Sequence, residues 1–194
     1  MHRYCARVNF ATNVVERNKG LKGRIFNPNI PTEEVFTSPK AGAVEGIVYS
    51  TKPLSYMGEV IDNFSLRFEG GKVVEAKAEK GEALLKKMVT MDEGAGKLGE
   101  CALIPYDSPI NQSGVLFYNT LFDENACCHF AVGHGFNECL KGFEKLTDEE
   151  CKARGINDSM IHVDFMIGSR DMSIVGVKEN GERVQIFENG TWAF

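Results

Sequence analysis

Alternating apolar and polar residues predict a chain built largely from β-strands. The alternation runs over residues 64–68 and 74–78, on either side of Gly70-Gly71, as in a hairpin whose turn is made by glycine. The same signal recurs near the C-terminus, where residues 172–177 and 183–187 flank the turn-forming dipeptide Asn180-Gly181. Two β-hairpins are therefore predicted.

Helical periodicity is confined to short segments. An apolar stripe at residues 84–85 and 88–89 lies among Glu and Lys, which predicts an amphipathic helix over 82–91. Thr147 followed by Glu150 resembles the capping box of another short helix. A third helix is predicted over 119–133, where Asp123 or Asn125 would cap a mixed apolar face.

The remaining segments are short strands and loops. Residues 1–30 are predicted to be irregular, because the prolines of the run Asn27–Pro31 disfavour helix and limit strand pairing. Short strands are expected over 44–49 and 101–105, with a connection over 53–58. The predicted fold class is α+β. A single domain over 31–194 is expected, with a mostly antiparallel mixed sheet or a barrel-like sheet and flanking short helices.

Size, charge and cysteine use narrow the class of protein. With 194 residues, of which 43% are hydrophobic, the chain is long enough to bury a core and short enough to form one domain. A net charge of -5 and the lack of a long basic cluster argue against nucleic acid or an anionic membrane as a partner. Six cysteines without CxxC pairing and without a preceding secretory leader favour reduced thiols and a cytoplasmic location.

The pair His162 and Asp164 carries the strongest chemical signal. Successive side chains of a strand point to opposite faces, so these two residues share one face while Val163 and Phe165 occupy the other. An imidazole and a carboxylate held at a fixed separation suit a divalent ion such as zinc or manganese. The alternative is a surface pair, or an Asp that only orients a neutral His, and the motif alone leaves both open.

Further ligands must come from distant parts of the chain. The spacing does not unite the candidates: on an ideal helix, Glu124 and His129 would lie about 140° apart. The run Cys127-Cys128-His129 could also indicate a zinc knuckle, although structural zinc sites draw on spaced pairs of ligands. Candidate ligands beyond the strand pair are Glu34, Glu100, Glu124 and His129.

Several longer blocks resemble the thermophilic metalloaminopeptidase family, which includes aminopeptidase T and aminopeptidase S. The likeness runs from about residue 29 to the C-terminus. The matching blocks are PTEEVFTSP at 31–39, STKPLSYMGEVIDNFSLRFEGGKVVEAKAEKG at 50–81, DEGAGKLGE at 92–100, SPINQSGVLFYNTLFDENACCH at 108–129 and IHVDFMIGS at 161–169.

This resemblance implies a metal-dependent aminopeptidase that hydrolyses N-terminal residues from peptides and forms a homodimer. Two divalent ions, zinc, cobalt or manganese, would activate a water molecule, and four carboxylates and two imidazoles would offset their charge. Only the resemblance, and not the spacing, favours Glu34 over the adjacent Glu33. The implied metal ligands are Glu34, Glu100, Glu124, His129, His162 and Asp164.

Two departures from the family pattern bear on catalysis. The family has an N-terminal domain before the metal domain, whereas only 30 residues precede Pro31 here. The family also has a tyrosine seven residues after the histidine that matches His129, and this chain has Phe136 there. If the tyrosine hydroxyl donates to an oxyanion, its loss would cost ~10²–10³ in turnover, by analogy with other oxyanion donors. The competing hypothesis is therefore a catalytically impaired metal-binding or assembly module.

Overall fold

The computed structural model describes residues 5–10 and 34–194, and the strand pairings within its sheets are antiparallel. The strands are β1 (Cys5–Phe10), β2 (Val35–Thr37), β3 (Pro39–Tyr49), β4 (Leu54–Tyr56), β5 (Glu59–Glu69), β6 (Lys72–Lys80), β7 (Leu98–Leu103), β8 (His129–Gly133), β9 (His162–Met166), β10 (Ile174–Val177), β11 (Arg183–Glu188) and β12 (Thr191–Trp192). One sheet has the order β1-β3-β5-β4, with β6 also paired to β5; a second has the order β2-β7-β8-β9; a third has the order β10-β11-β12.

Short helices lie between the strands. None in the described part of the chain is long and apolar enough to cross a membrane. The α-helices are α1 (Glu82–Met88), α2 (Pro109–Gln112), α3 (Thr120–Asp123) and α4 (Asp148–Ala153), and single 3₁₀ turns occur at Glu124–Ala126, Asn137–Cys139 and Phe143–Lys145.

The hydrophobic core fills the space between the β3-β5 sheet and the β7-β8-β9 sheet. Phe64 of β5 and Phe165 of β9 contact each other across this space, with ring centroids 5.5 Å apart. Phe130 and Val132 of β8 join the same core from the inner face of their sheet. The opposite face of the β7-β8-β9 sheet is therefore left for polar side chains.

Most of the predicted elements are present. The α+β class, both hairpins and the short helix capped by Thr147 and Glu150 are confirmed. Among the described strands, the sheets stay open, so the mixed antiparallel form of the prediction holds and the barrel-like form does not. The predicted connection over 53–58 contains the short strand β4, which pairs with β5.

Two predictions about local structure were wrong. Residues 5–10, which the prediction placed in an irregular segment, form β1 and pair with β3. Ala6, Val8 and Phe10 alternate with Cys5, Arg7 and Asn9, which is a strand pattern. Pro28 and Pro31, on which the irregular assignment rested, lie well beyond this strand in the sequence. The other residues of 1–30, like Glu33, lie outside the described part of the chain.

The helix predicted over 119–133 ends at Asp123. A 3₁₀ turn follows, and the chain then becomes strand β8. Every residue of β8 is buried: its two edges pair with β7 and β9, and Phe130 and Val132 face the hydrophobic core. A strand that is covered on both faces shows no alternation of apolar and polar residues, so its sequence was mistaken for helix.

Candidate metal centre

The six predicted ligands converge on the outer face of the β7-β8-β9 sheet. Each comes from a different position along the chain, and sheet pairing brings these positions together. Glu34 directly precedes β2, Glu100 lies in β7, Glu124 begins the 3₁₀ turn after α3, His129 begins β8, and His162 and Asp164 lie in β9.

Strand register explains why this face can hold a polar cluster. Glu100 of β7 and Asp164 of β9 both pair with Ala131 of the central strand, so the three residues form a row across the sheet. Ala131 is fully buried and carries only a methyl group. The two longer acidic side chains therefore extend over it from either side, with His129 two residues along the same face.

His162 presents one ring nitrogen to the acidic cluster. Its Nδ1 lies 2.7 Å from the backbone carbonyl of His134; because a carbonyl can only accept, Nδ1 carries a proton. Its Nε2 lies 3.1 Å from Glu100 Oε2 and 3.2 Å from Asp164 Oδ1. The nitrogen that can bind a cation therefore faces the carboxylates.

His129 repeats this arrangement in a more buried position. Its Nδ1 lies 3.3 Å from the carbonyl of Cys127, while its buried Nε2 has no hydrogen-bond partner. The nearest acidic oxygens are Glu34 Oε1 at 3.8 Å and Glu100 Oε1 at 3.9 Å. A buried nitrogen without a hydrogen bond is costly unless a further group binds it.

The ligand atoms of the six residues are close enough to hold cations. In each of three overlapping groups, one atom per residue lies within 4.8 Å of the others. Glu100, His129 and Asp164 each belong to two of the groups, so the cluster is continuous. The groups are Glu34-Glu100-His129, Glu100-His162-Asp164 and Glu124-His129-Asp164.

The crowding of acidic groups perturbs their protonation. Burial raises the pKa of Glu34 to about 7, and His129 opposes this increase while Glu100 adds to it. Burial together with Asp164 raises the pKa of Glu124 to about 9. The cluster therefore carries more negative charge than a buried site accommodates, which a bound cation would relieve.

The pKa values of Asp164 and His162 are shifted in the directions that favour an ion pair between them. Burial alone would raise the pKa of Asp164, but its contact with His162 lowers it. Burial would also lower the pKa of His162, yet the contacts with Asp164 and Glu100 raise it to about 11. In the protein without bound metal, the protonated, positively charged ring of His162 thus lies beside the carboxylates of Asp164 and Glu100.

Phe136 lies at the edge of the cluster. Its ring contacts the His162 ring, with centroids 5.0 Å apart, and the ring of Phe36 at 5.2 Å. Its backbone N–H donates to the buried hydroxyl of Ser38 at 2.7 Å. A phenylalanine at this position supplies apolar contact to the histidine but no donor for a substrate oxygen.

The loop that carries Glu124 is held by residues that sequence reasoning missed. The buried carboxylate of Asp123 accepts from the backbone N–H groups of Phe117 at 2.7 Å and Asn119 at 2.9 Å. The Ser108 hydroxyl donates to the carbonyl of Ala126 at 2.6 Å. Asp and Ser before a short turn are the only sequence signal for these contacts, and many loops share that signal.

Two other predictions concern the cysteines beside His129 and the loop residue His134. The zinc-knuckle alternative is not supported, since the described metal-capable groups consist of carboxylates and imidazoles and the Cys128 thiol bonds the backbone of Ile104. The side chain of His134 is exposed and lies 3.7 Å from Asp158, as expected for a loop histidine.

Comparisons with known proteins identify relatives of this chain. The chain is 56% identical over 172 residues to aminopeptidase AmpS of Bacillus subtilis, with 89% of this chain and 42% of AmpS covered. It is 50% identical over 171 residues to aminopeptidase T of Thermus aquaticus, with 88% and 41% covered. The solved structure of wild-type AmpT from Thermus thermophilus matches with a TM-score of 0.86 at 43% identity, covering 97% of this chain and 47% of that one.

The chain thus spans about two fifths of the length of the curated relatives it matches. Within that span, the match is continuous: the model of the family described as thermophilic metalloprotease (M29) covers residues 12–192. The resemblance inferred from the sequence blocks is confirmed, and the chain belongs to the thermophilic metalloprotease (M29) family.

Proposed function

We propose that this chain carries the metal centre of an aminopeptidase that removes N-terminal residues from peptides. The observation that carries the proposal is the orientation of the two histidines. His129 and His162 both direct Nδ1 to a backbone carbonyl and Nε2 into a cluster of carboxylates. Metal-binding histidines are oriented in this way by the hydrogen bond of the second nitrogen.

The proposed cofactors are two divalent ions, namely zinc, cobalt or manganese. The overlap of the three ligand groups through shared residues supports two adjacent ions, and the formal charge of four carboxylates matches that of two dications. The donor set of oxygen and imidazole nitrogen suits these metals. Such a pair, when bound, lowers the pKa of a coordinated water towards neutrality and polarises a peptide carbonyl. The ligands would be Glu34, Glu100, Glu124, His129, His162 and Asp164.

The protein's own charges favour a substrate with a free amino terminus. A cavity lined by carboxylates attracts the positive α-ammonium group of a peptide and repels its α-carboxylate. This preference fits exopeptidase action at the N-terminal end, in keeping with the names of the relatives. The ring of Phe136, packed on His162, would limit the movement of the imidazole on the open side.

The second candidate is a catalytically impaired metal-binding or assembly module. Phe136 favours it, since the family tyrosine hydroxyl has no counterpart in the ring-to-ring contact with His162. The intact set of six ligand side chains favours the enzyme. The two functions differ in turnover and not in metal content.

We also propose a cytoplasmic homodimer. Cys101, Cys127, Cys128, Cys139 and Cys151 are free and buried, which fits a reducing compartment. Apolar side chains are exposed in the segment 115–122 beside the Glu124 loop, including Phe117 and Leu121, and exposed apolar patches favour self-association. Light scattering on the purified chain at several concentrations tests the dimer, and a mass equal to the monomer throughout would contradict it.

The experiment that tests the proposed function combines metal analysis with two substrates. The chain is loaded with zinc, cobalt or manganese, its metal content is measured, and hydrolysis of leucine p-nitroanilide is compared with that of the N-acetylated compound. Two ions per chain and cleavage of only the free amine support the aminopeptidase. Two ions without turnover support the impaired module, and no bound metal contradicts both.

A pair of variants isolates the site in the same assay. Glu100→Gln removes a buried carboxylate that belongs to two ligand groups, so metal content and turnover should fall. Glu144→Gln removes an exposed carboxylate that belongs to none of the described ligand groups and should change neither. Equal behaviour of the two variants would contradict the assignment of the site.

A further inference from the structure

The backbone of residues 133–135 is clamped between Asn157 and the start of β9. The Gly133 carbonyl accepts from Asn157 Nδ2 at 2.6 Å, while the N–H of the same peptide group, that of His134, donates to the Ile161 carbonyl at 2.6 Å. The next peptide group is bridged in the same way. Its N–H, that of Gly135, donates to the Asn157 carbonyl at 2.8 Å, and its carbonyl, that of His134, accepts from His162 Nδ1 at 2.7 Å.

We propose that Asn157 is a positioning residue for His162, a role that rests on the proposed metal function of that histidine. Each peptide group is planar and rigid, so a residue that holds one end of it sets the direction of the other. On the side away from β9, Asn157 holds the first peptide group of the clamp through its side-chain amide and the second through its backbone carbonyl. The direction of the His134 carbonyl, and with it the ring orientation of His162, therefore depends on Asn157.

The surroundings of Asn157 fit this role. The side chain is only 3% exposed, and both hydrogens of its amide are used, because Nδ2 also donates to the Gly94 carbonyl at 2.9 Å. A buried amide is costly unless both of its hydrogens are bonded, so these two bonds hold the Asn157 side chain in one orientation. Asn157 thus joins the loop before β7 to the last residue of β8.

Close packing limits the freedom of the His134 carbonyl on its other side. A Cβ atom at Gly99 would lie 2.1 Å from this oxygen, so the carbonyl passes directly over the strand that carries Glu100. A Cβ atom at Gly133 would lie 2.0 Å from the Ile161 carbonyl. With strand backbone this close, a displacement on the Asn157 side is transmitted to the His162 ring and is not absorbed by empty space.

The loop before β9 has a second anchor that does not involve the Asn157 side chain. The carboxylate of Asp92 accepts from the Ser159 hydroxyl at 2.9 Å and from the Met160 N–H at 2.7 Å. Loss of the Asn157 amide should therefore disturb the clamp while the loop stays attached.

The test is the substitution Asn157→Asp, which keeps the shape of the side chain and removes both amide donors at neutral pH. In the metal-free protein, the His162 Nδ1–H resonance is followed by nitrogen-edited NMR and assigned by its absence in His162→Gln. We expect it to move upfield and exchange faster with solvent. Zinc affinity, measured by competition with a chelator, should weaken about 10–100-fold, the usual effect of losing a partner that orients a ligand.

The matched control is Asn111→Asp. The Asn111 amide also donates to a backbone carbonyl, that of Tyr106, at 2.6 Å, so the substitution removes a comparable bond elsewhere. It should leave the His162 resonance and the zinc affinity unchanged.

A folded Asn157→Asp protein with an unchanged resonance and unchanged affinity would overturn the proposal. If that variant does not fold, Asn157→Ser, which keeps one donor, is measured in the same way. Rapid solvent exchange of the Nδ1–H in the wild type would also overturn the proposal. If the wild type binds no zinc, but the His162 Nδ1–H resonance differs between the wild type and Asn157→Asp, the proposed function is contradicted and the positioning role is supported.

Discussion

Replacing one of the proposed ligands, Glu124, by glutamine should stabilise the metal-free protein. Burial and Asp164 raise the pKa of Glu124 from 4.5 to about 9. At a pH between these two values, the carboxyl group is protonated in the folded protein but ionised in the unfolded chain. Stability is therefore lost as the pH rises through this window. Glutamine is uncharged, and its amide can donate to Asp164 as the protonated carboxyl does.

The size of the effect follows from the same shift. Each pH unit above the unfolded-state pKa costs about 1.4 kcal/mol, so at pH 7 the folded state is disfavoured by about 3 kcal/mol. Glu124 is 9% exposed, so solvent does little to screen this cost. The substitution Glu124→Gln removes this cost and should therefore raise the Tm of a chain of this length by about 5–10 °C.

The assay is thermal unfolding at pH 7 with a chelator and then with excess zinc. With chelator, Glu124→Gln should unfold at a higher temperature than the wild type. With zinc, the wild type should gain stability in proportion to the logarithm of the metal concentration, and the variant should gain less. Glu179→Gln, at an exposed position, is the control and should match the wild type. A Tm of Glu124→Gln below that of the wild type in chelator would refute the reasoning.

Three further results are expected. Phe136→Tyr should raise kcat about 10²–10³-fold with little change in KM if the missing hydroxyl is an oxyanion donor; an unchanged rate in the peptidase assay would remove that explanation. The Tm of the metal-free protein should fall from pH 6 to pH 9, because Glu34 and His162 both have raised pKa values and each holds a proton that the unfolded chain releases; a Tm that rises over this range would contradict the assigned directions, and saturating zinc should remove the fall. Ala131→Val should weaken zinc binding about tenfold or more without changing a ligand, since the added methyl groups occupy the row between Glu100 and Asp164; calorimetry that gives wild-type affinity would show that the row has spare room.

Local signals in the sequence were enough for several elements of the fold. The glycines at 70–71 and the pair Asn180-Gly181 identify hairpins, because few other residues adopt the backbone angles of such turns. The capping box of Thr147 and Glu150 identifies the start of α4 for a similarly local reason. The alternation in β9 correctly placed His162 and Asp164 on the face opposite Phe165.

Local sequence signals could not identify the central strand β8. Its edges pair with β7 and β9, and its faces are covered by residues distant in sequence, such as Phe165 against Phe130 and Glu34 beside His129. No local pattern therefore records its burial. The helix predicted for this segment separated Glu124 from His129, whereas the 3₁₀ turn and the strand bring both towards Asp164.

The site itself depended on the family resemblance for four of its six residues. Spacing alone gave no reason to join Glu34 and Glu100 to the β9 pair, because strand register, and not separation along the chain, sets their proximity. The contacts that orient the ligands were not predicted. The clamp by Asn157 uses backbone atoms of residues 133–135, and backbone atoms leave no signature in the residue types.

The central claim is that the six side chains bind a pair of cations between them. The most direct measurement is anomalous diffraction from crystals of the chain grown with zinc or manganese, recorded on both sides of the metal absorption edge. Two peaks roughly 3.5–4 Å apart, each within coordination distance of Glu100, His129 or Asp164, are predicted. No peak at this face of the β7-β8-β9 sheet, in crystals with metal bound elsewhere, would contradict the account.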